Sequence, residues 1–102
     1  MNKPLSFDHA ALSVTSIPNA VEWYKLELDA TVRYQDDTWA MLDVCGTSVA
    51  LTVPSQHPPH LAFAVSTIDD LGQDFHEHRD GSNYIYKTDP DGNTIELIYW
   101  RK

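Results

Sequence analysis

One cysteine, Cys45, is all the thiol this 102-residue chain carries, so no intrachain disulfide can form. Cationic side chains are also scarce: seven Lys and Arg stand against fifteen Asp and Glu, for a net charge of −8. Such a surface repels phosphate backbones and anionic lipid heads, which sets nucleic acid and membranes aside as partners. Long apolar runs are missing too, and nothing approaches the ~20 residues that span a bilayer. The start, "MNKPLSFDHA", lacks the uninterrupted apolar core of a signal peptide. Together with the lone cysteine, these absences lead us to expect a reducing cytoplasm.

What is present is enough for a globular domain. Hydrophobic residues make up 42% of the chain, with three Trp, five Tyr and three Phe. The length suits a single domain that buries a core without disulfides. The acids cluster in "STIDDLGQDFHEHRD" and "YQDDTW", which we read as solvated faces.

Periodicity divides the chain into short elements. "DHAALSV" alternates as a strand, with His9, Ala11 and Ser13 on one face and the bulkier Leu12 and Val14 on the other, read as the core face. "SIPNAVEWYKLEL" switches to helical spacing, with Ser16 as N-cap and Pro18 in the first turn. "TVRYQDD", "WAMLDVC" and "TSVALTV" read as three further strands. "PSQHPPH" is a stiff proline-rich connection and the one linker candidate.

The pattern then begins again. "HLAFAVSTIDDLGQDF" lies on "HAALSVTSIPNAVEWY" without a gap at an offset of 51 residues, matching His60 to His9, Ala62 to Ala11 and Phe75 to Tyr24. At an offset of 46, Gly92 meets Gly46, Leu97 meets Leu51, and Glu96 meets Ala50. The chain is therefore two copies of a strand–helix–strands module, over residues 7–53 and 59–101, within one domain spanning 1–102. The second copy is five residues shorter, and the loss falls between Phe75 and Tyr84. The strand expected there should be missing or vestigial. The alignment also extends a helix into the second copy, in which His76 and His78 would be solvated.

These paired modules, together with the ending "DPDGNTIELIYW", resemble the vicinal oxygen chelate superfamily of glyoxalase I, extradiol dioxygenases, fosfomycin-resistance transferases and bleomycin-binding proteins. The resemblance implies an α+β fold in which two βαβββ modules form a cup-shaped mixed sheet with helices outside, the second module shortened. It also implies a metal site fed by the first and last strands of each module. Those positions are His9, His60, Ala50 and Glu96. Many glyoxalases carry a carboxylate where this chain has Ala50. The remaining His9, His60 and Glu96 are similar to the ligand set of extradiol dioxygenases and fosfomycin-resistance enzymes.

Two imidazoles and a carboxylate suit one divalent Mn, Fe, Ni or Zn, with positions left open for substrate or water. Parity supports the assignment, because His9 shares its face with Ala11 and Ser13, and His60 with Ala62 and Ala64. The bland reading of each residue alone is a satisfied strand histidine or an edge glutamate; their equivalence within the repeat sets these three apart. His57, in the linker, is an alternative to His60. Cys45, before a turn glycine and without a histidine neighbour in sequence, reads as a passive half-buried thiol. "DPDGN" reads as a turn that orders the last strand; it is too short for an EF-hand loop.

The function these features imply is a metal-dependent enzyme acting on a small oxygenated metabolite, with lyase or isomerase, oxygenase or thiol-transferase chemistry. Glu96 would serve the catalytic centre as a metal ligand. Trp39, Thr52, Tyr86, Lys87 and Trp100 are candidate substrate-lining residues. The alternatives are a metal-free binder of the bleomycin-resistance type, whose aromatic residues would hold a cationic ligand, and a degenerate member acting through protein partners. The resemblance further implies a homodimer.

Overall fold

Ser16 has the extended backbone of an N-cap, and its Oγ accepts from the Asn19 amide at 3.3 Å, with Pro18 in the first helical turn where its missing N–H costs nothing. These signals start helix α1, Ile17–Leu28, which ends at Asp29 in the left-handed region with φ of 55°. The structure, a computed structural model, describes residues 4–54 and 57–100. Ser55 and Gln56 of the proline-rich connection, and Arg101 at the end of the second module, lie outside the described residues.

The strands are β1 (Ser6–Ser13), β2 (Thr31–Gln35), β3 (Trp39–Val44), β4 (Thr47–Thr52), β5 (His60–Ala64), β6 (His76–Glu77), β7 (Asn83–Thr88) and β8 (Thr94–Tyr99). They fall into two compact units, one running from His9 to Pro59, the other from His60 onward together with the chain start through Asp8.

In the His9–Pro59 unit the strand order is β2-β3-β4-β1. β1 runs parallel to β4, placing Ala11 opposite Ala50, while β4/β3 and β3/β2 are antiparallel. Ile17 and Val21 of α1 pack with Ala40, Leu42 and Leu51 to form the core. The helix lies over β2, β3 and β4. Leu12 is 40% exposed, so the expected core face of β1 extends past what the helix covers.

The His60-onward unit repeats this plan with order β5-β8-β7-β6. β5 is parallel to β8, placing Ala62 opposite Glu96, and the other two ladders are antiparallel. The pairs Ala11–Ala50 and Ala62–Glu96 thus occupy the same place in two ladders, so both sequence offsets are realised in hydrogen-bond register. The expected vestigial strand is the two-residue β6.

The second helix expected from the repeat does not form. Ile68–Leu71 makes one turn of 3-10 helix instead and stops at Gly72, whose φ of 84° is outside helical space. "IDDL" followed by glycine is poor helix-forming sequence, whereas α1 contains no glycine. Leu71 closes a small core with Val65, Leu97, Phe63 and Phe75. Leu61, which alternation puts on the same strand face as Phe63, is 45% exposed, since a single turn covers less of the sheet than a helix would.

Candidate metal centre

Alternation along β8 sends Ile95, Leu97 and Tyr99 to one side and Thr94, Glu96 and Ile98 to the other. Leu97 and Tyr99 belong to the small core. Glu96 therefore stands on the opposite face, with Ala62 of β5 and Tyr86 of β7 directly across from it on its two neighbours. His60 and Tyr84 share that face through the same alternation. The period-two pattern of an otherwise apolar strand thus aims one carboxylate away from the core.

Glu96 is 0% exposed and His60 9%. His60 Nε2 lies 3.3 Å from Glu96 Oε1. Tyr86 packs on the His60 ring with centroids 5.2 Å apart. The other carboxylate oxygen, Oε2, lies 2.6 Å from Nε2 of His78. Burial alone would raise the Glu96 carboxyl; the two imidazoles outweigh burial and bring it down to about 2. Glu96 is an anion at neutral pH, held by two histidines. Burial first, and then the charge on Glu96, push the Tyr84 and Tyr86 phenols upward, so both keep their protons.

His78, expected on the sequence to be solvated on a helix, instead contacts Glu96 and Tyr84, because the segment is extended and not helical. On an extended chain, His76 and His78, two residues apart, share a side, and both rings pack on Tyr84, His78 stacking at 3.7 Å with planes 10° apart. No repeat match marks His78, which falls in the stretch where the second module is shortened. The presence of two histidines at strand spacing was the one available signal.

His9 lies on β1 in the other unit and is buried, with 8% exposure. Its neighbour Asp8 accepts a hydrogen bond from Trp100 Nε1 at 2.8 Å. Trp39 and Thr52 face each other across the β3–β4 ladder on the side that carries Ala50. Lys87 is exposed and opposes Ile95 on β7–β8, so it stands on the opposite face of the strand from Tyr86 and Glu96. Cys45, expected to be half-buried, is exposed at the turn into β4, with φ of 43°. The Asp89 carboxylate is occupied by the "DPDGN" turn, accepting from the amides of Asp91 and Asn93 at 2.9 and 2.8 Å.

The donor chemistry fits a divalent ion. His9, His60 and Glu96 are all buried, and each offers one ligand atom, imidazole nitrogen or carboxylate oxygen. Borderline metals such as Mn, Fe, Ni and Zn take that mixture.

No family model matches this chain, and no curated protein does. Solved structures do. Methylmalonyl-CoA epimerase from Mycobacterium tuberculosis superposes with a TM-score of 0.76 at 19% identity, over 100% of this chain and 94% of that one. Streptomyces coelicolor methylmalonyl-CoA epimerase, in complex with 2-nitronate-propionyl-CoA, gives 0.76 at 17% identity over 98% and 100% of the two chains. A glyoxalase/bleomycin resistance protein/dioxygenase superfamily member from Vibrio splendidus 12B01 gives 0.69 at 15% identity, over 89% and 95%. This chain has the vicinal oxygen chelate fold.

Proposed function

We propose that this protein is a metal-dependent enzyme in which His9, His60 and Glu96 hold one divalent ion and the substrate is a small oxygenated metabolite. The observation that carries the reading is Glu96: a wholly buried carboxylate, anionic at neutral pH, with His60 Nε2 3.3 Å from one of its oxygens. A buried charge of this kind is costly unless a cation or several hydrogen bonds compensate it. His9 is likewise a buried imidazole, of the donor type such an ion takes. When bound, such an ion would polarise a substrate carbonyl and stabilise the negative charge that develops on its oxygen.

The protein's own residues supply orientation and protons. Tyr86 braces the His60 ring. Tyr84 and Tyr86 retain their phenolic protons and serve as donors to a substrate oxygen. Ala62, opposite Glu96, keeps the strand face beside the carboxylate free of bulk. Isomerase or lyase chemistry at a carbon next to a carbonyl suits this set best. That two structural neighbours are epimerases of a CoA ester is in keeping with it. We further propose a cytoplasmic homodimer. No helix of the described residues is long and apolar enough to cross a membrane.

Metal content of untagged protein, measured by plasma mass spectrometry beside His60→Ala, tests the reading. One equivalent of Mn, Fe, Ni or Zn per chain is expected in the wild type and none in the variant. Wild-type protein that takes up no metal, even after incubation with excess ions, overturns the reading.

A further inference from the structure

We propose that His78 is a positioning residue that fixes Glu96 to coordinate through a single oxygen. The inference rests on the metal-site reading above.

The two oxygens of Glu96 have different neighbours. Oε1 is the one near the His60 nitrogen, at 3.3 Å. Oε2 is engaged by His78 Nε2 at 2.6 Å. A carboxylate that ligates a metal ion can only accept hydrogen bonds, so in that role Glu96 requires the hydrogen of the 2.6 Å contact to sit on His78 Nε2. With Oε2 held by this hydrogen bond, Oε1 is left as the oxygen directed to the His60 side, and the carboxylate is prevented from rotating to present both oxygens to one ion.

His78 is itself held from two directions. Its ring stacks on Tyr84 at 3.7 Å, and Tyr84 is fixed in β7 opposite Ile98. Its backbone closes a tight turn: the His78 amide donates to Ser82 O at 2.9 Å and Gly81 N donates to His78 O at 3.0 Å. Gly81 has φ of 91°, a conformation that favours glycine. Asp80 Oδ1 accepts from both the amide and the hydroxyl of Ser82, at 2.9 and 2.6 Å, and so stiffens the same turn. A ring restrained by stacking, on a backbone restrained by a turn, is what setting the rotamer of a ligand requires. The first module has no residue of this kind because Ala50 stands where Glu96 does, and an alanine has no rotamer to set.

The experiment is a Co2+ titration of metal-stripped full-length protein, followed by visible absorption, for wild type, His78→Gln and His78→Phe. Thermal unfolding of each metal-free variant is measured alongside. The glutamine amide can reach the place of Nε2 and still donate; phenylalanine keeps the stack on Tyr84 but donates nothing. We expect His78→Gln to bind Co2+ within about threefold of wild type, and His78→Phe to bind about tenfold to hundredfold more weakly. Both should unfold within a few degrees of wild type when metal-free. If His78→Phe fails to fold, His78→Asn, too short to reach Glu96, takes its place. Undiminished affinity in the Phe or Asn variant, or a loss in His78→Gln as large as in His78→Phe, overturns the role assigned to His78. A wild type that binds no Co2+ overturns the metal-site reading, and this inference with it.

Discussion

Ala62 stands directly across the parallel β5–β8 ladder from Glu96, and Ala62 is 0% exposed. The carboxylate therefore has a methyl group for a neighbour on that side, and any larger side chain would compete with it for space. Ala62→Leu should cost about 1–3 kcal/mol through overpacking and should weaken metal binding as well. Urea denaturation paired with metal analysis checks both; retention of full metal content would mean that the face has room to spare.

Metal removal should be visible in stability. An ion that binds only the folded chain adds about 2.7 kcal/mol when present at a hundred times its dissociation constant. Addition of EDTA to loaded wild-type protein should lower its melting temperature, whereas Glu96→Ala should melt at the same temperature with and without chelator. A chelator effect that survives in Glu96→Ala would place the ion elsewhere.

Trp39 and Thr52, opposite each other across β3–β4, carry a buried indole nitrogen and a buried hydroxyl with no hydrogen-bond partner among the described residues. A buried polar atom left unsatisfied costs about 1–3 kcal/mol. Thr52→Val, nearly the same shape, should therefore leave stability unchanged or raise it by about 1 kcal/mol, against the usual trend for a core substitution. A clear drop in the denaturation midpoint would show that the hydroxyl has a use in the ligand-free protein.

Asp36 organises the β2–β3 turn. Its Oδ2 accepts from the Tyr34 hydroxyl at 2.5 Å, and its Oδ1 from the amides of Thr38 and Trp39 at 2.8 and 2.9 Å. The Tyr34 hydroxyl first, and then the turn amides, hold its carboxyl well below the ordinary value of 3.8. A carboxyl lowered by folding contributes stability above its unfolded value and loses that contribution as pH falls below it. Stability of the wild type should accordingly decline as the pH drops below about 4, and Asp36→Asn should show a shallower decline over the same range. Midpoints measured from pH 6 down to pH 2 decide the matter; parallel curves would exclude Asp36 as a contributor.

The doubling of the fold is legible in the sequence because the repeat preserves register: offset alone matches Ala62 to Ala11 and Glu96 to Ala50, and the two ladders pair Ala11 with Ala50 and Ala62 with Glu96. Glu96 itself was conspicuous as a charge within an apolar strand. The second helix was misread because a matching apolar pattern carries no information on whether the backbone can stay helical through Gly72. That error hid His78, whose side chain has a different direction on an extended chain. Cys45 and Leu12 were placed too deep because sequence alternation names a face without saying how far its cover extends.

The reduction of the second helix to one 3-10 turn has a bearing on protein engineering. The face of that unit that carries His60 and Glu96 is specified by the pairing of β5, β8 and β7, and none of His60, Glu96 or His78 is presented by the 3-10 turn that stands where the helix was expected. The helix position is thus available for redesign: inserting a longer helix there could add stability from the back of the sheet, and grafting a recognition segment could add a new binding activity, in each case with the carboxylate and its histidines left at their stations.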